Sequence, residues 1–227
     1  MLQQLINFCF PRSCVHCEVL LPGKMEYLCT RCLCELPLTP FAGRDSEELK
    51  RVFYGKLAVE HVTGLLFYEK EGITHDLIHH LKYRSMPNIG AFLGTALGER
   101  LNTYEYWQNV DYILPVPLSF RRKLSRGYNQ VAPFAKALAK ALNSNYDDTH
   151  LVKIKHLKPQ ARKSREARSM SLPDAYLLKN PERFKGKHLM LVDDILTTGN
   201  TLIACGRAIK KVLPESRLSI ASIAITR

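Results

Sequence analysis

Residues 189–202 read Leu-Met-Leu-Val-Asp-Asp-Ile-Leu-Thr-Thr-Gly-Asn-Thr-Leu, and this run constrains the chain more than any other. Leu189 to Val192 are apolar without alternation, the pattern of a parallel strand covered on both faces. Asp193 and Asp194 then stand at its carboxyl end, where open α/β sheets take up ligands. Thr197, Thr198, Gly199, Asn200 and Thr201 supply hydroxyls and backbone N–H groups ahead of a helical pattern from Leu202 to Leu213. Carboxylates accept hydrogen bonds from hydroxyls or from a metal's water shell. N–H groups at a helix start, aided by the helix dipole, bind phosphate. Gly199 either takes a positive φ or lets a phosphate approach the backbone.

Three rival readings fit parts of this run. A nucleoside-triphosphatase strand also ends in acidic residues, but it needs a Gly-x4-Gly-Lys-Ser/Thr loop, and the chain has none. A phospho-acceptor domain can begin with a strand ending Asp-Asp, yet only 33 residues follow Asp194. An ordinary β-turn-α junction needs one capping Thr, not Asp-Asp followed by Thr-Thr-Gly-x-Thr.

The chain of 227 residues suits one α/β domain plus a small appendage, divided here as residues 1–42 and 43–227. Its hydrophobic content of 46% is ample for a core. No stretch approaches the roughly 18 apolar residues of a membrane span. Met1 to Phe10 lacks a basic segment and a cleavage site, so a cytoplasmic protein without membrane insertion is expected. The formal charge is +12, and residues 121–168 hold 13 Lys/Arg against 3 Asp/Glu, net +10. Such density points to polyanions: pyrophosphate, nucleic acid, or both.

Six of the seven cysteines fall within residues 9–34. Cys14, Cys17, Cys29 and Cys32 form two C-x2-C pairs separated by eleven residues. Two such knuckles bring four thiolates to the corners of one tetrahedron about Zn²⁺. Disulfides suit secreted chains, and adjacent C-x2-C pairs suit metal better. The closed set implies a structural site, whose metal supplies folding energy to a segment too short to bury much core. Cys9, Cys34 and His16 find no vacancy in it.

Between these motifs, residues 61–68 read as a strand and Ile73 to Tyr83 as a helix closed by Lys82, Tyr83 and Arg84. Those three are either a charged C-terminal turn or a ligand contact. His75 and His79 share a helical face with His80 nearby, but no third ligand stands at a metal-binding spacing, so all three read as surface histidines. Gly90 to Tyr106 is the next expected helix, and Asp111 to Pro117 a strand entering a proline-stiffened loop. That loop, Leu118 to Tyr128, is basic and bears Gly127. Lying between a strand and a helix, it is an anion site, unless Arg126-Gly127 is a plain turn. Asn129 opens a helix through Leu142. Tyr128 and Phe134 are candidates for stacking on bases, although core packing suits each better. Leu151 to Ile154 and Asp174 to Leu178 read as strands around Lys155 to Ser171, a basic segment with the character of a lid or a disordered loop. Polar connectors are expected near Gly43–Lys50 and Asn143–Thr149, and a last strand over Arg217 to Ile225.

The run at 189–202 resembles the signature of type I phosphoribosyltransferases. With the front knuckles, Pro115-Val-Pro117 and Arg126-Gly-Tyr-Asn-Gln130, nearly the entire chain resembles the ComF family, zinc-ribbon proteins of bacterial competence. The resemblance implies a parallel sheet flanked by helices behind a small N-terminal zinc module. It implies that Asp193 and Asp194, the catalytic pair of any reaction, hold the ribose of phosphoribosyl pyrophosphate. The loop Ile195, Leu196, Thr197, Thr198, Gly199, Asn200 and Thr201 would cradle the 5-phosphate. Val116 and Arg126 would face the pyrophosphate and its Mg²⁺, and Gln160 and Arg168 occupy the family's lid positions, with Lys163 and Arg165 beside them. Ser171 stands where the family usually has Asn, and that contact is not carried over. A role in DNA uptake during natural transformation is implied, with single-stranded DNA and uptake-machinery proteins as partners. Two classes stay open: a Mg²⁺-assisted phosphoribosyltransferase, or a protein that senses the sugar or binds single-stranded DNA without turnover.

Overall fold

The apolar run ahead of the acidic pair becomes the central strand of a five-stranded, wholly parallel sheet. The computed structural model describes residues 12–23, 25–41, 47–83, 86–118, 127–154 and 175–226. The strands are β1 (Val62–Tyr68), β2 (Tyr112–Pro115), β3 (Asn145–Tyr146), β4 (Leu151–Lys153), β5 (Tyr176–Leu178), β6 (His188–Leu196) and β7 (Arg217–Thr226). The sheet order is β1-β7-β6-β2-β3, while β4 and β5 pair antiparallel apart from it. β7 is buried from Leu218 to Ile225, because a central parallel strand has helices on both faces.

The helices are α1 (Thr30–Cys34), α2 (Glu47–Lys50), α3 (Ile73–Tyr83), α4 (Pro87–Leu101), α5 (Glu105–Gln108), α6 (Ala132–Ala141) and α7 (Asn200–Val212). α3, α4 and α6 cover one face of the sheet, where Leu77, Leu81, Leu93 and Phe134 pack with Met190 and Val192. α7, the β4–β5 pair and the turns at Arg51–Phe53 and Pro181–Phe184 cover the other, around Leu114, Leu189, Leu191 and Ile209. α4 lies close against α6 through Gly90, Gly94 and Gly98, and a Cβ on Gly94 would meet the Phe134 carbonyl oxygen at 2.3 Å.

Several boundaries differ from those read in the sequence. The helix expected over Gly90 to Tyr106 starts at Pro87, whose ring suits a first helical turn, and stops at Leu101, with α5 separate. The connector near Asn143–Thr149 contains the edge strand β3, which pairs Asn145 with Tyr112 and Tyr146 with Ile113. Glu47–Lys50, expected as part of a connector, forms a helical turn. The proposed lid, with Gln160, Lys163, Arg165, Arg168 and Ser171, lies outside the described residues, as does Cys9. The described pair β4–β5 flanks that segment, joined by Lys153 opposite Tyr176.

The cysteine-rich segment packs on the sheet domain. Pro37 to Thr39 run antiparallel along the otherwise open edge of β1, with Thr39 N–H donating to the Leu65 carbonyl at 2.9 Å and Phe67 N–H to that of Pro37 at 2.8 Å. This addition covers an edge that would otherwise present unpaired backbone groups. Cys14, Leu28 and Cys32 join the same apolar cluster as α3 and α4, and the Tyr27 and Phe92 rings meet at 5.6 Å.

Candidate functional site

β6 runs on past the point where its apolar run stops. Asp193 and Asp194 lie inside the strand, which ends at Leu196 because its backbone stays paired with β7: Asp193 with Ser222, Ile195 with Ala224, Leu196 with Ile225. Successive strand side chains alternate, so the two carboxylates leave opposite faces of the sheet. Asp194 shares its face with Met190 and Val192, beneath α3, α4 and α6. Asp193 belongs to the α7 face, where burial pushes the Cys205 thiol pKa well up and the nearby Asp193 charge adds to that rise.

Asp194 is held from two directions. Lys82 Nζ, from the last turn of α3, donates to Asp194 Oδ2 at 2.8 Å, and Gln130 Nε2 donates to the same oxygen at 3.0 Å. Gln130 is buried, and its Oε1 finds no donor among the described residues. The turn that brings Gln130 here is fixed by its neighbours. Asn129 Nδ2 donates to the Val116 carbonyl at 3.0 Å, and Asn129 Oδ1 accepts from Val131 N–H at 3.1 Å. The Tyr128 hydroxyl donates to the Leu81 carbonyl at 2.5 Å, tying the turn to the end of α3. Tyr128 is thus partly buried in this network, and Phe134 is wholly buried in the core. Val116 N–H donates to the Val192 carbonyl at 2.8 Å, which sets the end of β2 beside the acids. Arg126 lies outside the described residues; Gly127, next to it, has φ 75°.

Beyond Leu196 the chain turns into α7. Thr197, Thr198, Asn200 and Thr201 are exposed, and Gly199 is buried. Gly199 occupies the N-cap position with φ 69° and no side chain caps this helix. The threonines therefore do not serve as its caps, and the first-turn N–H groups lie at the carboxyl edge of the sheet. A Cβ on Gly199 would stand 2.7 Å from Val52 Cγ1 and 3.3 Å from Phe53 Cε1, so both backbone conformation and close packing demand glycine. Leu196 is buried in the core, and Ile195 packs at its margin, so neither side chain is placed to meet a ligand as the loop hydroxyls are.

The second cluster is the cysteine set. The Sγ atoms of Cys14, Cys17, Cys29 and Cys32 all lie within 4.8 Å of one another, and those of Cys17 and Cys29 are 3.6 Å apart. Thiolates at about 2.3 Å from a tetrahedral zinc ion would stand at such separations, so the donor set fits Zn²⁺. Burial opposes the Cys14 thiolate, but backbone N–H groups of Cys17, Cys29 and His16 outweigh it and bring its pKa down to about 6. The Cys29 N–H reaches Cys14 Sγ at 3.4 Å. Cys34 is exposed and stands apart from the four. His16 turns away as well: its Nδ1 lies 2.8 Å from Asp76 Oδ2, while His75 Nδ1 lies 3.0 Å from the other oxygen. Burial raises the Asp76 pKa, but these two imidazoles prevail and lower it. His75, His79 and His80 form a row of ring contacts and, among the described residues, no metal-binding group.

Residues 129–226, which carry the acidic strand end, the Thr-Thr-Gly turn and the uncapped helix start, match the phosphoribosyl transferase domain family. Over 220 residues the chain is 25% identical to competence protein F of Haemophilus influenzae, spanning 92% of this chain and 94% of that protein. It is 31% identical over 129 residues to DNA utilization protein YhgH of Salmonella typhimurium and 32% identical over 129 residues to that of Escherichia coli K12. Each of these matches spans 56% of this chain and 56% of the relative. The resemblance to the ComF family thus holds: a phosphoribosyl transferase fold behind a four-cysteine module. Among solved structures, an allosteric regulatory enzyme of purine biosynthesis aligns with TM-score 0.38 and 18% identity, over 63% of this chain and 29% of that one. A hypoxanthine phosphoribosyltransferase from Staphylococcus aureus aligns with TM-score 0.37 and 13% identity, over 64% and 69%. Among the described residues no helix is long and apolar enough to cross a membrane.

Gln130 is the site residue that sequence reasoning missed. Its signal was a polar residue in the turn just ahead of the apolar pattern of α6, where burial demands a partner. Lys82, read either as part of a charged C-terminal turn or as a ligand contact, lies against Asp194.

Proposed function

We propose that this chain binds phosphoribosyl pyrophosphate across the end of β6 and acts in DNA utilisation during competence, as the names of its relatives suggest. The observation that carries the reading is the juxtaposition of a held carboxylate, Asp194, with the uncapped start of α7 across one short turn. The exposed hydroxyls of Thr197, Thr198 and Thr201 and the N–H groups after Gly199 would take the 5-phosphate. Asp193 and Asp194 would accept the ribose hydroxyls. Arg126 and the loop after Val116 would face the pyrophosphate, with Arg168 on the lid excluding water. Transfer from the anomeric carbon passes through a state of oxocarbenium character, so orienting the sugar and neutralising the leaving group are the tasks of the protein. Mg²⁺ belongs to this reading as a companion of the pyrophosphate, and it would help neutralise the charge of the leaving group. The four cysteines would carry structural Zn²⁺.

A second reading, binding of the sugar or of single-stranded DNA without turnover, is favoured by one observation: net charge +10 within residues 121–168. DNA affinity that falls steeply with salt would support it, through counterion release. The test of the main reading is a thermal melt with phosphoribosyl pyrophosphate and Mg²⁺. The ligand is expected to raise the melting temperature, and Asp194→Ala to remove that shift. No shift at saturating ligand rejects the site. Pyrophosphate release with a panel of bases and amines separates enzyme from sensor.

A further inference from the structure

Among the described residues, the polar contacts around the end of β6 lock backbone or buried amide groups, with one exception. The exception is Lys82. Its side chain reaches from the last turn of α3 to Asp194 Oδ2 at 2.8 Å, and both side chains keep some exposure, 17% and 15%. Gln130 already donates to that same oxygen, so Lys82 is the second donor on one atom. A lysine is a point charge on a flexible stem with three donors. It can leave one carboxylate oxygen that retains another donor without stranding a buried charge.

The position of Lys82 selects which part of a ligand it meets. Asp194 faces the side of the sheet under α3 and α6, whereas the Thr197–Asn200 turn leads into α7, which covers the other side. A sugar phosphate seated on that turn would present its 5-phosphate toward α7, and its anomeric end would cross the strand toward α3. The anionic group that meets Lys82 is then the one on the anomeric carbon.

We propose that Lys82 is a specificity-determining residue that moves from Asp194 to the anomeric diphosphate when the ligand binds. The transfer frees Asp194 to accept a ribose hydroxyl and couples release of that carboxylate to the presence of the diphosphate. Gln130, fixed by Asn129 and Tyr128, holds Asp194 in place during the exchange. This inference rests on the ligand reading above.

Calorimetric titration of the full-length protein with phosphoribosyl pyrophosphate and, separately, with ribose 5-phosphate tests it. Lys82→Gln is expected to weaken the pyrophosphate ligand about tenfold or more, the loss of one charge-assisted hydrogen bond. Binding of ribose 5-phosphate should change by less than about twofold. Lys82→Arg, which keeps the charge, should restore part of the discrimination. Equal losses for both ligands would show a mere prop for Asp194 and overturn the proposal, as would no loss for either. Should Lys82→Gln melt early, Lys82→Met, which keeps the apolar stem and removes the charge, decides in its place, because a prop would leave the ratio of the two affinities unchanged. Failure of the wild-type protein to bind either compound would instead sink the underlying ligand reading, and the inference with it.

Discussion

Replacing Gly199 by alanine strikes the turn on which the functional reading depends, and its consequence can be worked from two separate terms. The first is backbone conformation. Gly199 sits at φ 69°, and an L-residue held there loses about 1–2 kcal/mol. The second is packing. The new Cβ would stand 2.7 Å from Val52 Cγ1 and 3.3 Å from Phe53 Cε1. Phe53 is fully buried, so relief must come from Val52 or from the turn itself, and overpacking of this kind costs about 1–3 kcal/mol. Against both stands the lower entropy of an alanine-bearing unfolded chain, about 0.4–1 kcal/mol. The destabilising terms win, with a net loss of about 1–5 kcal/mol. Urea unfolding measures the loss, and a double-mutant cycle divides it. Val52→Ala removes the clashing methyl group, so the double variant should recover about 1 kcal/mol or more relative to the sum of the single changes. Additive effects would show that φ alone demands glycine here. A Gly199→Ala protein within about 0.5 kcal/mol of wild type would refute both terms and the turn geometry with them.

Two further outcomes are expected. His188 is buried against Ser219 Oγ at 2.8 Å, and burial lowers its pKa. The unfolded chain therefore takes up a proton near pH 6.5 while the folded protein resists, so stability is full above that pH and declines as pH falls from about 6.5 toward the folded pKa. His188→Asn should flatten this decline in unfolding measured between pH 7 and 5, and an unchanged slope would rule the residue out. The purified protein should carry one Zn²⁺ per chain. Because Cys14, Leu28 and Cys32 lie in the same cluster as α3 and α4, chelation should lower the melting temperature of the whole chain, and not only loosen the front module. Metal content near zero, with melting unaffected by Cys29→Ser, would contradict the site.

The parts of this molecule that were legible in its sequence are those fixed by local chemistry. Cysteine spacing brings thiols together over a short span, so the four-sulfur cluster followed from two C-x2-C pairs. The apolar run before Asp193 and the stripe of α3 likewise carry their period in adjacent residues. What stayed hidden depends on neighbours distant in the chain. β3 is two polar residues long and exists because β2 offers it an edge. The opposed directions of Asp193 and Asp194 follow from pairing with β7 that continues to Leu196, four residues beyond the last aliphatic residue of the run. Gln130 and Lys82 look like surface residues until tertiary packing delivers both to one oxygen.

The same packing relates the cysteine module to the acidic site. α3 makes a carboxylate contact at each end, supplying the carboxylate itself at one and the ammonium at the other. In its first turn Asp76 meets His16, which lies between the first two cysteines, at 2.8 Å. In its last turn Lys82 meets Asp194, also at 2.8 Å. The helix has 11 residues, about 16 Å of rigid rise, and its apolar side is buried through Leu77, Ile78 and Leu81. Such an element moves as a unit: Leu81 is fully buried and its carbonyl accepts the Tyr128 hydroxyl, so the last turn cannot slide without disturbing the turn that carries Gln130. α3 therefore touches the cysteine module at one end and the acidic site at the other.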